Sequence, residues 1–279
     1  MAMIELLIEK VKRFWDSRPC NIRHSNAPLG TKKYFDEVAA RRYFVEAHIP
    51  VFADFPRWHD KKVLEVGCGI GTDTVQFTRA GAQVTAVDLS PRSLEIATHQ
   101  FDVYGLNGSF FCANAEELSN AVPVAPYDLI YSFGVIHHTP NPERVIEEIK
   151  KYCHPETELR LMLYAKWSWK LLWIITKFGR GRFWQWRKLL AHYSEAQEGS
   201  PVTYAYSGRE VRKILDRHGF KAVSLKKTFI FPYEIASYRK YQYKKVWYFR
   251  YWPQWLFQKL ESLLGWHLLI VAKPKRPEL

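Results

Sequence analysis

The sequence predicts an α/β fold: a doubly wound, mostly parallel sheet with a final antiparallel strand and a helical, aromatic cap. Three observations predict it. Short apolar runs alternate with helical periodicity between residues 60 and 165. The first run, Val63-Leu64-Glu65-Val66, opens into Gly67, Gly69 and Gly71, and the next ends in Asp88. Two basic, aromatic stretches, 167–200 and 233–263, interrupt the alternation.

Along the chain, Met1–Asp16 has an amphipathic, charged helical pattern rather than the apolar core of a secretory leader. Residues 17–33 are turn-rich, and helical periodicity returns from Lys33 to about Phe55. Strand 63–66, helix 72–80, strand 83–88 and helix 91–104 follow. Ser90-Pro91 supplies a cap and a first-turn proline for the last of these. Next come strands 109–113 and 127–132, helix 141–152 and strand 158–165. Beyond the Trp-rich segment, helix 208–218 stops at Gly219, strand 221–230 follows, and Gly265 precedes strand 266–272. The last strand is expected to insert next to 221–230. This divides the chain into an N-terminal helical segment (1–59), a core (60–166), a cap insertion (167–206) and the closing part of the sheet (207–279) with its aromatic insert.

A glycine-rich turn after a strand lets a ligand approach the backbone, and an acid at the tip of the next strand can accept both hydroxyls of a ribose. The spacing discriminates among ligands. In a dinucleotide turn, G-x-G-x-x-G, the third glycine falls one residue later than Gly71, and no lysine follows in the triphosphate-binding pattern. Glu65 before the glycines is a further distinction. The set Glu65, Gly67, Gly69, Gly71 and Asp88 resembles, residue by residue, the first motif and acidic strand end of the class I S-adenosylmethionine (SAM) methyltransferases. Their fold is Rossmann-like. The resemblance is close over 60–165, holds in outline over 207–274, and fades elsewhere.

The resemblance implies SAM as cofactor, with Asp88 on the ribose and Glu65 orienting the methionine end. Cys68 and Leu89 belong to the same two turns. Asn114 and Ala115 stand where the family meets the adenine, with an amide replacing the usual acid; Asn114 with Glu117 also reads as a helix cap. Tyr131-Ser132-Phe133-Gly134-Val135-Ile136-His137-His138 resembles the ubiquinone/menaquinone-methylase-like branch, and places Ser132, Phe133 and Gly134 beside the sulfonium. His137 is a candidate general base, since imidazole titrates near neutrality, weighed evenly against packing under the sheet, whereas His138 is expected to cap the following helix. Tyr34 is a candidate lid over the methionine end, weighed against packing at a helix entry, with Arg23 and His24 as neighbouring contacts. Tyr164, Trp167, Tyr204 and Tyr206 are candidate substrate walls. The strand end lacks the Asn/Asp-Pro-Pro-Tyr/Phe and Pro-Cys signatures of enzymes that methylate DNA bases.

The net charge of +13 is uneven: residues 1–149 carry −4 and residues 150–279 carry +17. Nine of the eleven tryptophans follow residue 150, so the two halves face different neighbours. Trp167, Trp169, Trp173, Trp184 and Trp186 alternate with lysine and arginine, as do the rings of Tyr238–Phe257. Such stretches fit a cap with inward rings, an anionic membrane surface, or single-stranded nucleic acid. The cap is preferred, then peripheral membrane contact; nucleic acid is disfavoured without a recognisable binding motif. The cysteines (Cys20, Cys68, Cys112, Cys153) form no C-x-x-C pair, so a reducing, cytoplasmic setting and no metal are expected. The expected function is transfer of a methyl group from SAM to a small, apolar or aromatic acceptor. Alternatives are a membrane-associated lipid or quinone acceptor, and a non-catalytic protein of this fold that binds membrane or RNA.

Overall fold

A computed structural model describes residues 2–194 and 200–275. Three helices lead: α1 (Ala2–Ser17), α2 (Lys32–Val45) and α3 (His48–Ala53). The alternating region runs β1 (Lys62–Val66), α4 (Thr72–Arg79), β2 (Gln83–Asp88), α5 (Pro91–Tyr104), β3 (Ser109–Cys112), β4 (Tyr127–Phe133), α6 (Pro142–Lys150) and β5 (Cys153–Tyr164). It is followed by α7 (Trp169–Phe178), α8 (Trp186–Tyr193), α9 (Gly208–Arg217), β6 (Phe220–Thr228), α10 (Ile235–Arg239), α11 (Gln254–Leu264) and β7 (His267–Pro274).

The seven strands form one sheet in the order β3-β2-β1-β4-β5-β7-β6. β1 to β5 pair in parallel, and β7 runs antiparallel between β5 and β6, registering Tyr164 with His267 on one side and Thr228 with His267 on the other. Successive side chains of a strand face opposite sides. Leu64, Val66 and Ile130 therefore join the cluster under α6 and α9, whereas Val63, Leu129 and Tyr131 join Phe52, Phe55, Trp58 and Phe77 on the other face. Helices cover both faces, so the central strands are apolar almost throughout rather than alternating.

Local chemistry sets the helix starts. Thr31, Ser90, Asn141 and Ser168 each accept a backbone N–H of the first turn, and Ser207 with Glu210 forms a complete capping box. Two expectations shift. The 33–55 helix divides into α2 and α3 at Ala47. β5 starts at Cys153 rather than 158, because Tyr127 pairs with Cys153 before an irregularity moves the register to Leu129 and Glu158. His154-Pro155-Glu156 has the composition of a turn, which hides the extra strand.

Candidate functional site

The carboxyl ends of β1, β2 and β4 surround a cavity, as expected of a parallel α/β sheet. Its back wall is the glycine turn. Gly67 lies at φ +83°, and a Cβ there would stand 2.2 Å from Val135 Cγ2. Only glycine gives this close passage of the β1 end past the β4 end. The N–H groups of Gly67 and Cys68 both donate to Val87 O, at 2.7 and 3.0 Å, which ties the turn to β2. Gly71, also at φ +83°, starts α4, and a Cβ there would meet Ala97 Cβ at 3.0 Å.

Asp88 lines the cavity at the tip of β2. Its Oδ2 accepts Gly69 N–H at 2.8 Å and its Oδ1 accepts Ser90 N–H at 2.9 Å. Each oxygen keeps a lone pair, so the carboxylate is oriented without being consumed. Burial raises its pKa, and the backbone donors of Ser90, Gly69 and Leu89 oppose that rise. Ser90 caps α5, as its sequence predicts.

The floor is charged. Glu65 Oε2 accepts Thr74 Oγ1–H at 2.6 Å. Asp73 accepts Arg42 Nη2–H at 2.9 Å, Tyr43 O–H at 2.8 Å and Tyr131 O–H at 3.1 Å. Burial, and then the Asp73 charge, hold the Glu65 carboxyl well above the usual carboxylate range. Glu65, Asp73 and Arg42 all line the cavity, which thus offers both signs of charge to a zwitterion.

The cavity gathers Glu65, Gly67, Cys68, Gly69, Asp88, Leu89, Asn114, Ala115, Phe133 and Gly134. Asn114 lines the cavity and also serves as the expected cap, its side chain accepting Glu116 N–H. Three candidates stand back from it. Gly71 acts through the α4 start. Ser132 Oγ–H is turned into the sheet, donating to Val66 O at 2.8 Å. Tyr34 is packed one turn into α2 against Phe35, Val38, Ile70 and Ile96, and its O–H donates to Ile22 O. Helix-entry packing therefore describes Tyr34, and it does not form a lid. Arg23 meets Tyr241 through its carbonyl, and His24 is half-buried against Tyr238.

His137 follows its packing reading, and His138 does not cap the helix. His137 is fully buried with its ring 3.8 Å from Tyr164, and it does not line the cavity. Its ring nitrogens have no hydrogen-bond partner among the described residues, and burial pushes its pKa well below 6.5. His138 lines the cavity, held by a Val202 carbonyl at 2.9 Å and the Trp15 ring at 5.2 Å. Asn141 caps α6 in its stead. The adjacent histidines share one short turn after β4, and nothing in the local sequence signals which ring faces inward.

The cover is also different from the one expected. Val11 and Trp15 of α1, with Cys20 and Asn21, form the rim. The two aromatic segments do meet each other, Trp169 lying 6.1 Å from Tyr248 and 5.5 Å from Phe249, but neither reaches the cavity lining. α7 and α8 pack instead on Met162, Tyr164 and Trp266, across β5 and β7. Tyr164 is buried there, Trp167 is 67% exposed on the outside, and Tyr206 pairs with Ala165 beside Tyr204. The amphipathic pattern of α1 was the available sign of a covering helix; nothing in its sequence marks what it covers.

The profile of a methyltransferase-domain family matches residues 7–225. The chain belongs to that family, whose methyl donor is SAM. A ubiquinone biosynthesis O-methyltransferase of Chromobacterium violaceum is 34% identical over 95 residues, covering 34% of this chain and 40% of that protein. The corresponding protein of Idiomarina loihiensis is 34% identical over 95 residues and is covered to 39%. The chain thus spans about two fifths of the curated relatives it matches. Among solved structures, the magnesium protoporphyrin IX methyltransferase of Synechocystis with bound SAH superposes at TM-score 0.59 with 17% identity, covering 95% of this chain and 98% of that one. That likeness establishes the shared fold.

Proposed function

We propose that the chain transfers the methyl group of SAM, bound in this cavity, to a small acceptor with apolar or aromatic surface. The observation that carries the reading is Asp88, half-buried at the tip of β2 with both oxygens set by backbone N–H groups beside the glycine turn. A ribose offers two hydroxyl donors to such a carboxylate. Asn114 and Ala115 border the adenine side, and Phe133 and Gly134 the sulfonium side. The amino-acid end of SAM is a zwitterion and matches Arg42, Asp73 and Glu65.

The chemistry is an in-line displacement. The acceptor atom forms a bond to the methyl carbon as the sulfur–methyl bond breaks, and the neutral thioether S-adenosylhomocysteine leaves. Alignment in a dry cavity supplies much of the acceleration. A base enters only for an acidic acceptor such as a phenol. His138, which lines the cavity, takes the place expected for His137 as the candidate.

A second reading concerns where the acceptor resides. Trp247 and Tyr251 are more than 80% exposed, and Trp255 67%, within the basic half. Rings of this kind beside cations favour peripheral contact with an anionic membrane and an acceptor drawn from it, in a cytoplasmic setting. No helix among the described residues is long and apolar enough to cross a membrane. Nucleic acid remains disfavoured as a partner.

Incubation with SAM and a metabolite extract, followed by mass spectrometry, tests the activity: a product heavier by one methylene is expected. A SAM-binding chain that yields no product from any extract would favour the non-catalytic alternative. Calorimetry on Asp88→Ala tests the site. Losing a charge-assisted pair of hydrogen bonds costs about 2–3 kcal/mol, or about 30–150-fold in SAM affinity. Affinity within twofold of the parent chain removes Asp88 from the site.

A further inference from the structure

We propose that Glu46, His48 and His267 form a binding site for one divalent transition-metal ion, behind the wall of the cavity. His267 begins β7, His48 begins α3, and Glu46 closes α2. His48 Nε2 and His267 Nδ1 share a hydrogen bond at 2.9 Å, the gap an ion would take over, and the other ring nitrogen of His267, Nε2, is 3.7 Å from Glu46 Oε1. One ligand atom from each residue lies within 4.8 Å of the other two.

The donor set selects the ion. Two imidazoles and one carboxylate suit zinc, cobalt, nickel or manganese, whereas magnesium and calcium prefer oxygen alone. Metal–nitrogen bonds of about 2.1 Å across a 2.9 Å gap meet at about 90°. That is the angle between adjacent ligands of an octahedral ion, and Glu46, now nearest the other ring nitrogen of His267, would supply the third ligand by a side-chain rotation within the 4.8 Å cluster. The nearby Arg42 charge is met by Asp73 at 2.9 Å, which limits its repulsion of an ion.

The surroundings are a hydrophobic box, the kind of shell that holds a metal in a defined geometry. The Phe229 ring lies 5.4 Å from His48 and 4.5 Å from His267, and Phe133 lies 6.0 and 5.6 Å from them. Phe133 also lines the SAM cavity. An ion here would tie the α2–α3 corner to β7 and brace that wall from behind. The site stands independently of the methyl-transfer reading.

The test is titration of the metal-free full-length chain with cobalt(II), followed by visible absorption, and with zinc(II), followed by calorimetry. One equivalent of each is expected. Glu46→Gln and His48→Gln should each weaken binding at least about tenfold, while His192→Gln, at an exposed position on α8, should leave it unchanged. Circular dichroism confirms the fold of each variant, and Glu46→Gln carries the test if His48→Gln fails to fold. Absence of a stoichiometric cobalt band, or a band insensitive to Glu46→Gln, overturns the proposal and leaves a hydrogen-bonded histidine pair.

Discussion

β1–β4 and β5–β7 belong to one sheet but meet their surroundings differently. The first group ends in turns whose backbone groups and few acids converge on a cavity, and its charge is slightly negative. The second carries nearly all the tryptophan and an excess of +17, and leaves Trp167, Trp184, Trp247 and Trp255 mostly in water. A small ligand is recognised by a handful of fixed backbone positions. An extended neighbour is met by many side chains with no fixed spacing. The first kind of recognition compresses into a motif, and the second appears only as composition.

Both halves depend on the strand that joins them. Deleting residues 265–279 removes β7 from between β5 and β6 and leaves two buried edges unpaired. Loss of soluble, folded chain is expected on expression. A soluble truncation with native circular dichroism would show that the β1–β5 half stands alone.

Gly67→Ala acts within the first half alone. The left-handed backbone and a Cβ 2.2 Å from Val135 should cost about 2–4 kcal/mol in denaturant unfolding. SAM binding should fall with it. A change under 0.5 kcal/mol would mean that the turn relaxes freely.

His24 tests the contact between the N-terminal segment and the aromatic insert, where its Nε2 lies 3.4 Å from the Tyr238 hydroxyl. Burial first, then the Arg41 and Arg42 charges, lower its pKa from 6.5 to about 3. The folded state therefore binds fewer protons than the unfolded state below pH 6.5. Stability from this group is full above pH 6.5 and falls as the pH drops toward 3. From pH 6.5 to 4.5 the loss is about 2–3 kcal/mol at most. His24→Gln should flatten that slope in thermal melts; an unchanged slope assigns the acid sensitivity to other groups.

The smallest effect on stability is expected in the second half. Trp247→Ala and Trp255→Ala should each change unfolding by less than about 0.5 kcal/mol, since both rings are exposed. Both should weaken flotation with anionic vesicles, in a salt-sensitive manner. Vesicle binding that ignores both substitutions would move the contact elsewhere.

Local sequence encodes the strand–helix alternation and the glycine turn with Asp88 at the tip of the next strand. These rest on contacts between neighbours: two-residue and 3.6-residue periods, caps within one turn, and glycines whose backbone conformation is local. The tertiary structure alone decided the rest. Arg42 meets Asp73 across 31 positions, and His48 meets His267 across 219. Trp15 rather than an aromatic cap covers the cavity rim, and His138 rather than His137 faces it. Side chains so far apart in the chain are brought together only by the packing of whole elements. Which of two adjacent histidines points inward depends on the pitch of one short turn against α1 and Tyr164, and no local pattern encodes that.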